Sequence, residues 1–369
     1  MMEQADPTRR IVDAHVHMGG LDEEDALLAV RRATGIDQMA LVAIQMPATG
    51  SGLPQALYMK ARHPARFFVF AGLNHAARLT SGAVASPSLA EQVDLYSHCG
   101  CDGIKMIEGK PTSRQRLDVP LTDPYYAEYW RRVEETGTPV VCHVNDPEEF
   151  WDPARLPAWA AERKWGYGPG DVQKEQLYAE VERVLTTHPR LRIVFAHFYF
   201  LSADLPRAAR FLDAHPTVGL DLAPGIEMLY NISRDPEAGR EFFVRYADRI
   251  FFGTDLGSGL KEQEAKARAG IVTRWLETAD VFRVPSGADF LLGPPEDGII
   301  RGMSLPENAL RKIYRGNFVK MASAKPRPLD AGMAVEVCEG LAAISEAMTG
   351  ARHGSTEAAL VAARLSARG

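Results

Sequence analysis

His15 and His17 are the first residues of the chain whose types and spacing could do chemistry. They end an apolar run that starts at Ile11 and precedes the pair Gly19 and Gly20, as a strand before a turn would. Because side chains alternate along a strand, both imidazoles would lie on one face, about 6.6 Å apart. Imidazoles at that separation can share a metal ion through bonds of about 2.0–2.1 Å. By itself, the spacing fits two solvated histidines equally well.

Other polar side chains follow later apolar runs in the same way. They are Lys105 and Glu108 at the fourth run, His143 at the fifth, His197 at the sixth, Asp221 at the seventh and Asp255 at the eighth. Imidazoles with one carboxylate suit zinc, or manganese as the second choice. A bound divalent ion lowers the pKa of water, and Asp255 is the candidate to move the proton. Asp221 is interpreted as a supporting group.

The elements that must position these side chains alternate between short apolar runs and segments with helical spacing. Strands are expected near 11–17, 38–44, 66–73, 102–107, 138–143, 191–197, 217–222 and 249–255. Nearly continuous apolar runs are typical of parallel strands that are covered on both faces. Eight such βα units predict a closed barrel, whose carboxyl-terminal mouth carries the chemistry. An open, doubly wound sheet is the alternative.

The predicted barrel is a single domain that spans residues 1–321 and ends with a helix at 306–321. Residues 322–369 form a helical extension with alanine-rich helices at 329–350 and 355–367. These helices are expected to pack on the outside of the barrel or to take part in a homodimer.

Composition excludes several classes of function. The net charge of −6 is spread over 369 residues with no basic block, which disfavours nucleic acid and anionic membranes as partners. No apolar run approaches the roughly 18 residues of a membrane helix, and the first residues lack a signal-peptide core. Four cysteines are too few for a disulfide framework. We therefore expect a cytoplasmic protein with a small-molecule substrate.

The ordered set of motifs resembles the amidohydrolase superfamily, and most closely the amidohydrolase-related branch that includes decarboxylases of the aminocarboxymuconate semialdehyde type. The resembling residues are Asp13-Ala14-His15-Val16-His17, Asp102-Gly103-Ile104-Lys105, His143, Ala196-His197, Gly253-Thr254-Asp255 and Glu307 to Asn317. The resemblance implies a distorted (β/α)8 TIM barrel of the α/β class. It also implies that the metal ligands are His15, His17, His143 and Asp255.

The resemblance allows more than one role for two residues, His197 and Lys105. His197 matches a histidine that contacts the water or the substrate, and it could instead bind a second ion. Lys105 matches a lysine that is carboxylated and bridges two ions in two-metal members. In other members such a lysine does not bridge, and here it could form a salt bridge or contact a substrate carboxylate.

The segment after the fifth strand, residues 144–171, combines many aromatic side chains with basic ones. Long loops in compact domains are usually functional, so we interpret this segment as a partial lid that carries Trp151. An ordinary surface helix is the alternative. The loop from Glu108 to Arg116 brings Arg114 and other positive charge to the same rim, which fits an anionic substrate and fits a solvated loop equally well. Glu108, Arg114 and Trp151 are the predicted substrate contacts, and His75 is interpreted as a loop histidine.

Three functions remain open at this point. The first is a metal-dependent hydrolase of a small amide, lactone or ester, with Asp255 moving the proton. The second is a non-oxidative decarboxylase of an aromatic or unsaturated acid. The third is a non-enzymatic binding protein that has kept the barrel fold. The intact set of predicted metal ligands disfavours this third function.

Overall fold

A computed structural model describes residues 10–46, 50–257, 259, 261–285 and 298–367. The predicted barrel domain begins at residue 1, so its first nine residues lie outside the described part. Eight parallel strands form one sheet in chain order. They are β1 (Ile11–Val16), β2 (Ile36–Val42), β3 (Phe67–Gly72), β4 (Gly103–Gly109), β5 (Val140–Val144), β6 (Ile193–Phe195), β7 (Gly219–Asp221) and β8 (Ile250–Phe251).

The sheet closes between β8 and β1. Beyond the end of β8, Phe252 O accepts from Ala14 N at 2.9 Å, and the Asp255 N–H donates to His15 O at 2.9 Å. Leu256 continues this contact as the partner of Val16 in a parallel bridge. The predicted (β/α)8 TIM barrel is therefore confirmed, and the open sheet is excluded.

Helices surround the barrel and extend past it. They are α1 (Glu24–Thr34), α2 (Leu53–Arg62), α3 (Ala76–Leu79), α4 (Leu89–Cys99), α5 (Pro111–Leu117), α6 (Pro124–Thr136), α7 (Ala158–Glu162), α8 (Lys174–Thr187), α9 (Leu205–Ala214), α10 (Ile226–Ser233), α11 (Pro236–Arg245), α12 (Glu262–Glu277), α13 (Glu307–Arg311), α14 (Asn317–Met321), α15 (Ala331–Thr349) and α16 (Glu357–Ser366). A π-helical turn, Lys312–Gly316, joins α13 to α14. Two short hairpins pair Gln45–Met46 with Gly50–Ser51 and Val281–Phe282 with Ile300–Arg301.

Local sequence explains where several helices begin and end. Ser88 and Glu91 form a reciprocal capping box at the start of α4, since each side chain accepts from the other residue's backbone N–H. Asp123 caps α6 through the N–H of Tyr125. Gly35 ends α1 with a φ of 71°, a left-handed conformation that glycine adopts without strain.

The barrel interior is filled by a distinct apolar cluster. Its members come from β1, β2, β3, β5, β6 and β8, with Phe318 and Met321 from α14. Because these strands lie all around the barrel, the cluster must occupy its interior, and α14 plugs one end. The helix predicted at 306–321 thus has the closing position that the sequence suggested.

The C-terminal helices α15 and α16 pack on each other and against α2 and α4. Leu341, Ala342, Val361 and Ala362 are buried in this contact. The extension therefore lies on the outer surface of the barrel, while a homodimer through it remains a prediction. Among the described helices, none combines the length and the apolar character that crossing a membrane would require.

Candidate metal centre

The ends of β1 and β8 bring His15, His17 and Asp255 into one group at the carboxyl-terminal mouth of the barrel. His17 Nε2 lies 3.2 Å from His15 Nε2 and 3.2 Å from Asp255 Oδ1. The Asp255 oxygen lies 3.6 Å from His15 Nε2. His197, at the end of β6, has a ring nitrogen that joins His15 and Asp255 in a group of ligand atoms within 4.8 Å of one another.

Hydrogen bonds fix the tautomers of the first two imidazoles. His15 Nδ1 donates to Asp221 Oδ2 at 2.8 Å, and His17 Nδ1 donates to the carbonyl oxygen of Val42 at 2.9 Å. A carbonyl oxygen can only accept, so Nδ1 of His17 must carry the proton. Burial and the nearby Lys105 ammonium hold the pKa of His15 well below its usual value, so this ring is neutral at pH 7. In neutral rings of this tautomer, Nε2 presents a lone pair.

His197 is held by a strained turn. The four residues His197–Phe200 all have positive φ angles, between 51° and 56°. This conformation costs a residue with a side chain roughly 1–2 kcal/mol, and it persists only where the surroundings enforce it. The His197 N–H donates to Asp221 Oδ1 at 2.9 Å, and the Tyr178 hydroxyl donates to the carbonyl oxygen of Tyr199 at 3.0 Å.

The same turn decides which nitrogen of His197 faces the group. His197 Nδ1 donates to Ala223 O at 3.1 Å, which leaves Nε2 as an acceptor. Burial lowers the pKa of His197 to about 4, so the ring is neutral at pH 7. A neutral His197 therefore offers a lone pair to the site rather than a proton.

Asp255 follows β8 in a left-handed conformation, with a φ of 51°. Its Oδ2 lies 3.5 Å from Arg268 Nη2, while its Oδ1 faces the histidines. Burial alone would raise the pKa of the Asp255 carboxyl, but the surrounding imidazoles and Arg268 outweigh it and hold the pKa well below its usual value. The carboxylate is therefore anionic, and its Oδ1 lies against Nε2 of His15 and of His17.

Asp13 fastens the two strands that carry these ligands. Its carboxylate accepts from His15 N at 3.1 Å, from Thr254 N at 3.1 Å and from the Thr254 hydroxyl at 2.5 Å. Burial raises the pKa of Asp13 to about 7. This aspartate thus ties the end of β1 to the turn before Asp255.

The donor set fits a divalent cation. His15 Nε2, His17 Nε2 and Asp255 Oδ1 lie within 3.6 Å of one another, and each nitrogen is an acceptor when its ring is neutral. Acceptors in such contact repel each other unless a proton or cation lies between them, and nitrogen with carboxylate oxygen is a set that zinc and manganese accept. His15, His197 and Asp255 thus form a possible His/His/Asp metal site, and His17 Nε2 lies next to it.

Lys105 contacts the same group from β4. Its Nζ lies 3.2 Å from His15 Nε2, and burial lowers its pKa. An ammonium group can only donate, so Lys105 competes with a metal ion for the lone pair of His15. The two proposed roles, a carboxylated bridge and a contact to a substrate carboxylate, both remain predictions.

His143 lies beside His197, with ring centroids 4.8 Å apart, but its Nε2 faces away from the group. This nitrogen lies 2.9 Å from Asn145 O and 3.3 Å from Asp146 Oδ1. Burial lowers the pKa of His143 to about 4, so Nδ1 is the nitrogen left to accept. Within the described residues His143 does not join the group around Asp255, and its role as a ligand stays a prediction.

Two of the three predicted substrate contacts, Glu108 and Arg114, lie against ionisable side chains of the protein. Glu108 is buried and its Oε1 lies 2.7 Å from Nε2 of His75, which the sequence had suggested was a loop histidine. Arg114 is buried on α5, and its Nη2 lies 3.5 Å from Glu180 Oε1. The stretch that we interpreted as a charged loop is thus partly the helix α5. Contact of Glu108 or Arg114 with a substrate remains untested.

The aromatic residues of the segment 144–171 pack on one another in a small apolar cluster apart from the barrel core. Its members are Phe150, Trp151, Leu156, Trp159, Ala160, Trp165 and Tyr167. Trp151 also donates from Nε1 to Val172 O at 3.3 Å. The segment is folded, and its action as a lid stays a prediction.

Asp146 connects this aromatic cluster to His143. It accepts from Lys110 Nζ at 2.6 and 2.7 Å and from the Tyr167 hydroxyl at 2.5 Å. Lys110 in turn lies 4.2 Å from the centroid of the Trp165 ring. We did not select Asp146 from the sequence, although it lies three residues after His143 in the segment that we did select.

Arg268 is a second site residue that the sequence analysis missed. It is 2% exposed on α12. The helical spacing of buried Ala265, Ala269 and Val272 places Arg268 on the inner face of α12. This helical periodicity of apolar residues is the sequence signal that could have identified Arg268 as buried.

Asp221 should control the metal affinity of His15. In an Asp221→Asn variant, we expect zinc affinity to fall by about 10–100-fold, since a carboxylate that accepts from a ligating imidazole increases its basicity and fixes its orientation. Competition with a chromophoric chelator measures the change. Asp213→Asn is the matched control, because Asp213 forms an exposed ion pair with Arg245. Unchanged affinity in Asp221→Asn would contradict a role for His15 as a ligand.

The barrel with a possible metal site at its mouth is the architecture of metal-dependent hydrolases and related lyases. Residues 12–321 match the profile of the amidohydrolase family, and the chain belongs to this family. The resemblance inferred from the motifs is thereby confirmed. The search of curated proteins found no match.

Solved structures with the same fold share little sequence with this chain. A TIM-barrel protein from Bordetella bronchiseptica has a TM-score of 0.53 at 15% identity, over 85% of this chain and 98% of its own. The 5-carboxyvanillate decarboxylase of Sphingomonas paucimobilis has a TM-score of 0.50 at 14% identity, over 85% and 98%. The 2,6-dihydroxybenzoate decarboxylase of Rhizobium has a TM-score of 0.50 at 16% identity, also over 85% and 98%. At this identity, the likeness shows the fold alone.

Proposed function

We propose that this protein is a metal-dependent hydrolase of a small anionic amide, lactone or ester. The observation that carries the proposal is the group of facing acceptor atoms His15 Nε2, His17 Nε2 and Asp255 Oδ1 at the mouth of the barrel. Membership of the amidohydrolase family supports an enzyme. Zinc or manganese held by this group, with His143 as a further ligand, would supply Lewis acidity and lower the pKa of water.

The protein side chains would handle the proton. Asp255 is the proposed base that takes a proton from the attacking water and returns it to the leaving group. His197 presents an acceptor nitrogen, so it could orient the attacking water or bind a metal ion. The hydrogen bond from its Nδ1 to Ala223 O argues against polarising a substrate carbonyl, which needs a donor.

The buried Lys105 supports an anionic substrate. Its ammonium lies at the centre of the site, 3.2 Å from His15 Nε2. When a cation occupies the histidine lone pairs, Lys105 needs another acceptor, and a substrate carboxylate would provide one. Trp151, Glu108 and Arg114 are kept as proposed contacts at the rim.

A non-oxidative decarboxylase of an aromatic or unsaturated acid is the second candidate, and the same lysine favours it. A buried ammonium next to the ligands could hold the carboxylate that leaves as CO2, and a protonated group would then deliver a proton to the substrate carbon. Two proteins with this fold are decarboxylases of hydroxylated aromatic acids.

A paired assay separates the two reactions. The zinc- or manganese-loaded enzyme is incubated with aromatic carboxylic acids and with anionic lactones, esters and amides, while CO2 release and acid production are recorded in parallel. Acid production without CO2 is the expected result, and Lys105→Met should raise the KM for the anionic substrates about tenfold or more. Release of CO2 as the dominant product would replace the hydrolase with the decarboxylase. No turnover of any compound by the metal-loaded enzyme would count against both.

A further inference from the structure

His143 is held in place by residues that follow it closely in the chain. Its Nε2 lies 2.9 Å from the carbonyl oxygen of Asn145 and 3.3 Å from Asp146 Oδ1. A carbonyl oxygen only accepts, so in the neutral ring Nε2 carries the proton and Nδ1 keeps its lone pair. The ring of His143 lies beside that of His197, which belongs to the candidate metal group. The direction in which Nδ1 points therefore depends on Asn145 and Asp146.

A left-handed turn after β5 places these two partners beside the ring. Asn145 has a φ of 71° and is fully buried. Its backbone N–H donates to the carbonyl oxygen of Gly109, the last residue of β4, at 2.9 Å. Because Lys110 directly follows Gly109, this contact brings Lys110 close to Asp146. The ends of β4 and β5 thus meet at the Asp146 carboxylate.

Asp146 is the centre of a buried polar cluster that includes Lys110 and Tyr167. Its Oδ1 accepts from Lys110 Nζ at 2.6 Å, and its Oδ2 accepts from Lys110 Nζ at 2.7 Å and from the Tyr167 hydroxyl at 2.5 Å. All three residues are buried. Hydrogen bonds to an ionised group are roughly twice as strong as those between neutral groups, so this carboxylate is firmly held.

The polar cluster is joined to the aromatic residues of the segment 144–171 at two points. Tyr167 is itself a member of the apolar cluster that these residues form. Lys110 Nζ lies 4.2 Å from the centroid of the Trp165 ring. The aromatic segment therefore contacts the same carboxylate that orients His143.

We infer that Asp146 is a positioning residue through which the folded segment 144–171 controls metal binding by His143. The inference rests on the proposed function, in which His143 is a metal ligand. A carboxylate that accepts from a ligating imidazole fixes its orientation and increases its basicity. Because Tyr167 holds that carboxylate, a hydroxyl in the aromatic segment contributes to the metal affinity. By thermodynamic linkage, the segment is then more stable in the metal-loaded protein.

A double-mutant cycle on zinc affinity tests the inference in the full-length protein. Affinity is measured by competition with chelators for Asp146→Asn and for the conservative Tyr167→Phe, each alone and together with His143→Ala. We expect losses of about 10–100-fold in Asp146→Asn and of about three- to tenfold in Tyr167→Phe. In the His143→Ala background both losses should shrink to about twofold or less, because the two residues act only through His143.

A second tyrosine–aspartate pair, among the helices that surround the barrel, provides matched controls. The Tyr246 hydroxyl donates to Asp213 Oδ1 at 2.9 Å. Asp213 lies on α9, and Tyr246 directly follows α11. Asp213→Asn and Tyr246→Phe remove the same chemical groups as the two test variants and should leave the zinc affinity unchanged.

Amide hydrogen exchange gives a second readout, on the segment itself. In the wild type, saturation with zinc should slow exchange in residues 148–167 by about threefold or more. In Asp146→Asn this protection should be lost even when zinc saturates the protein, since the segment no longer holds the carboxylate that orients His143.

Unchanged zinc affinity in Asp146→Asn would overturn the inference, as would losses of equal size with and without His143. Exchange in the segment that does not respond to zinc in the wild type would overturn it as well. In each of these cases the wild type still binds zinc, so the proposed metal site stands. A wild-type protein that binds no zinc would instead remove the proposed function together with this inference.

Discussion

Replacing His17 with alanine, or Asp255 with asparagine, should remove the bound metal ion. Wild-type protein purified without added metal or chelator is expected to hold about one equivalent of zinc or manganese, and each variant less than about a tenth of that. The reason is geometric, because His17 Nε2 and Asp255 Oδ1 lie 3.2 Å apart and would share the same ion. Elemental analysis by mass spectrometry measures the content directly.

His98→Ala and Asp213→Asn are the controls for this experiment. His98 is exposed near the end of α4, and Asp213 is exposed in an ion pair with Arg245, so both variants should retain the metal. About two equivalents in the wild type would promote Lys105 to a bridging ligand. A wild-type protein that holds no metal after supplementation would show that the facing histidines serve another purpose.

His197→Asn should separate catalysis from metal binding. We expect this variant to retain its metal and to lose about 10²-fold in kcat, the order of loss when a reacting group such as the attacking water is misplaced by about 1 Å. The structural reason is that a ring nitrogen of His197 lies within 4.8 Å of the ligand atoms of His15 and Asp255, while Asp221 and Ala223 fix the backbone and ring of His197. The measurement is kcat on the best substrate from the paired assay, with metal content determined on the same sample.

The variant Tyr178→Phe is a milder change to the same turn and is compared with His197→Asn. It keeps His197 but removes the hydroxyl that donates to Tyr199 O, so the left-handed turn should loosen and kcat should fall less than in His197→Asn. Loss of metal in His197→Asn would show that His197 is a ligand and not a water-orienting group. An unchanged kcat would remove His197 from the reaction altogether.

The sequence determined the barrel and the strand ends at which the site would form. Apolar runs alternating with helical segments specify βα units, and parallel strands bring their carboxyl ends to one mouth. His15, His17 and Asp255 could therefore be placed together before any coordinates, because their positions follow from where the strands end. The helix that closes the barrel was predictable for the same reason, as its apolar spacing is local.

Segments whose partners are distant in the chain were harder to interpret. The basic stretch after β4 suggested a charged rim, but Arg114 lies inward on α5 against Glu180, and Lys110 lies against Asp146. Spacing along a helix does not reveal which distant carboxylate will pair with it, since such pairs depend on how α5, α8 and the segment after β5 pack.

Tertiary structure alone decided the chemical state of each site residue. The acceptor nitrogens of His15 and His197 are set by Asp221 and Ala223, and the orientation of Asp255 is set by Arg268. The contacts of His15 and His197 join residues from different βα units, and the contact of Asp255 joins the loop after β8 to the inner face of α12. Periodicity specifies the face on which a side chain lies, whereas tautomer, protonation and freedom to accept a ligand depend on the neighbours that folding brings within hydrogen-bond distance.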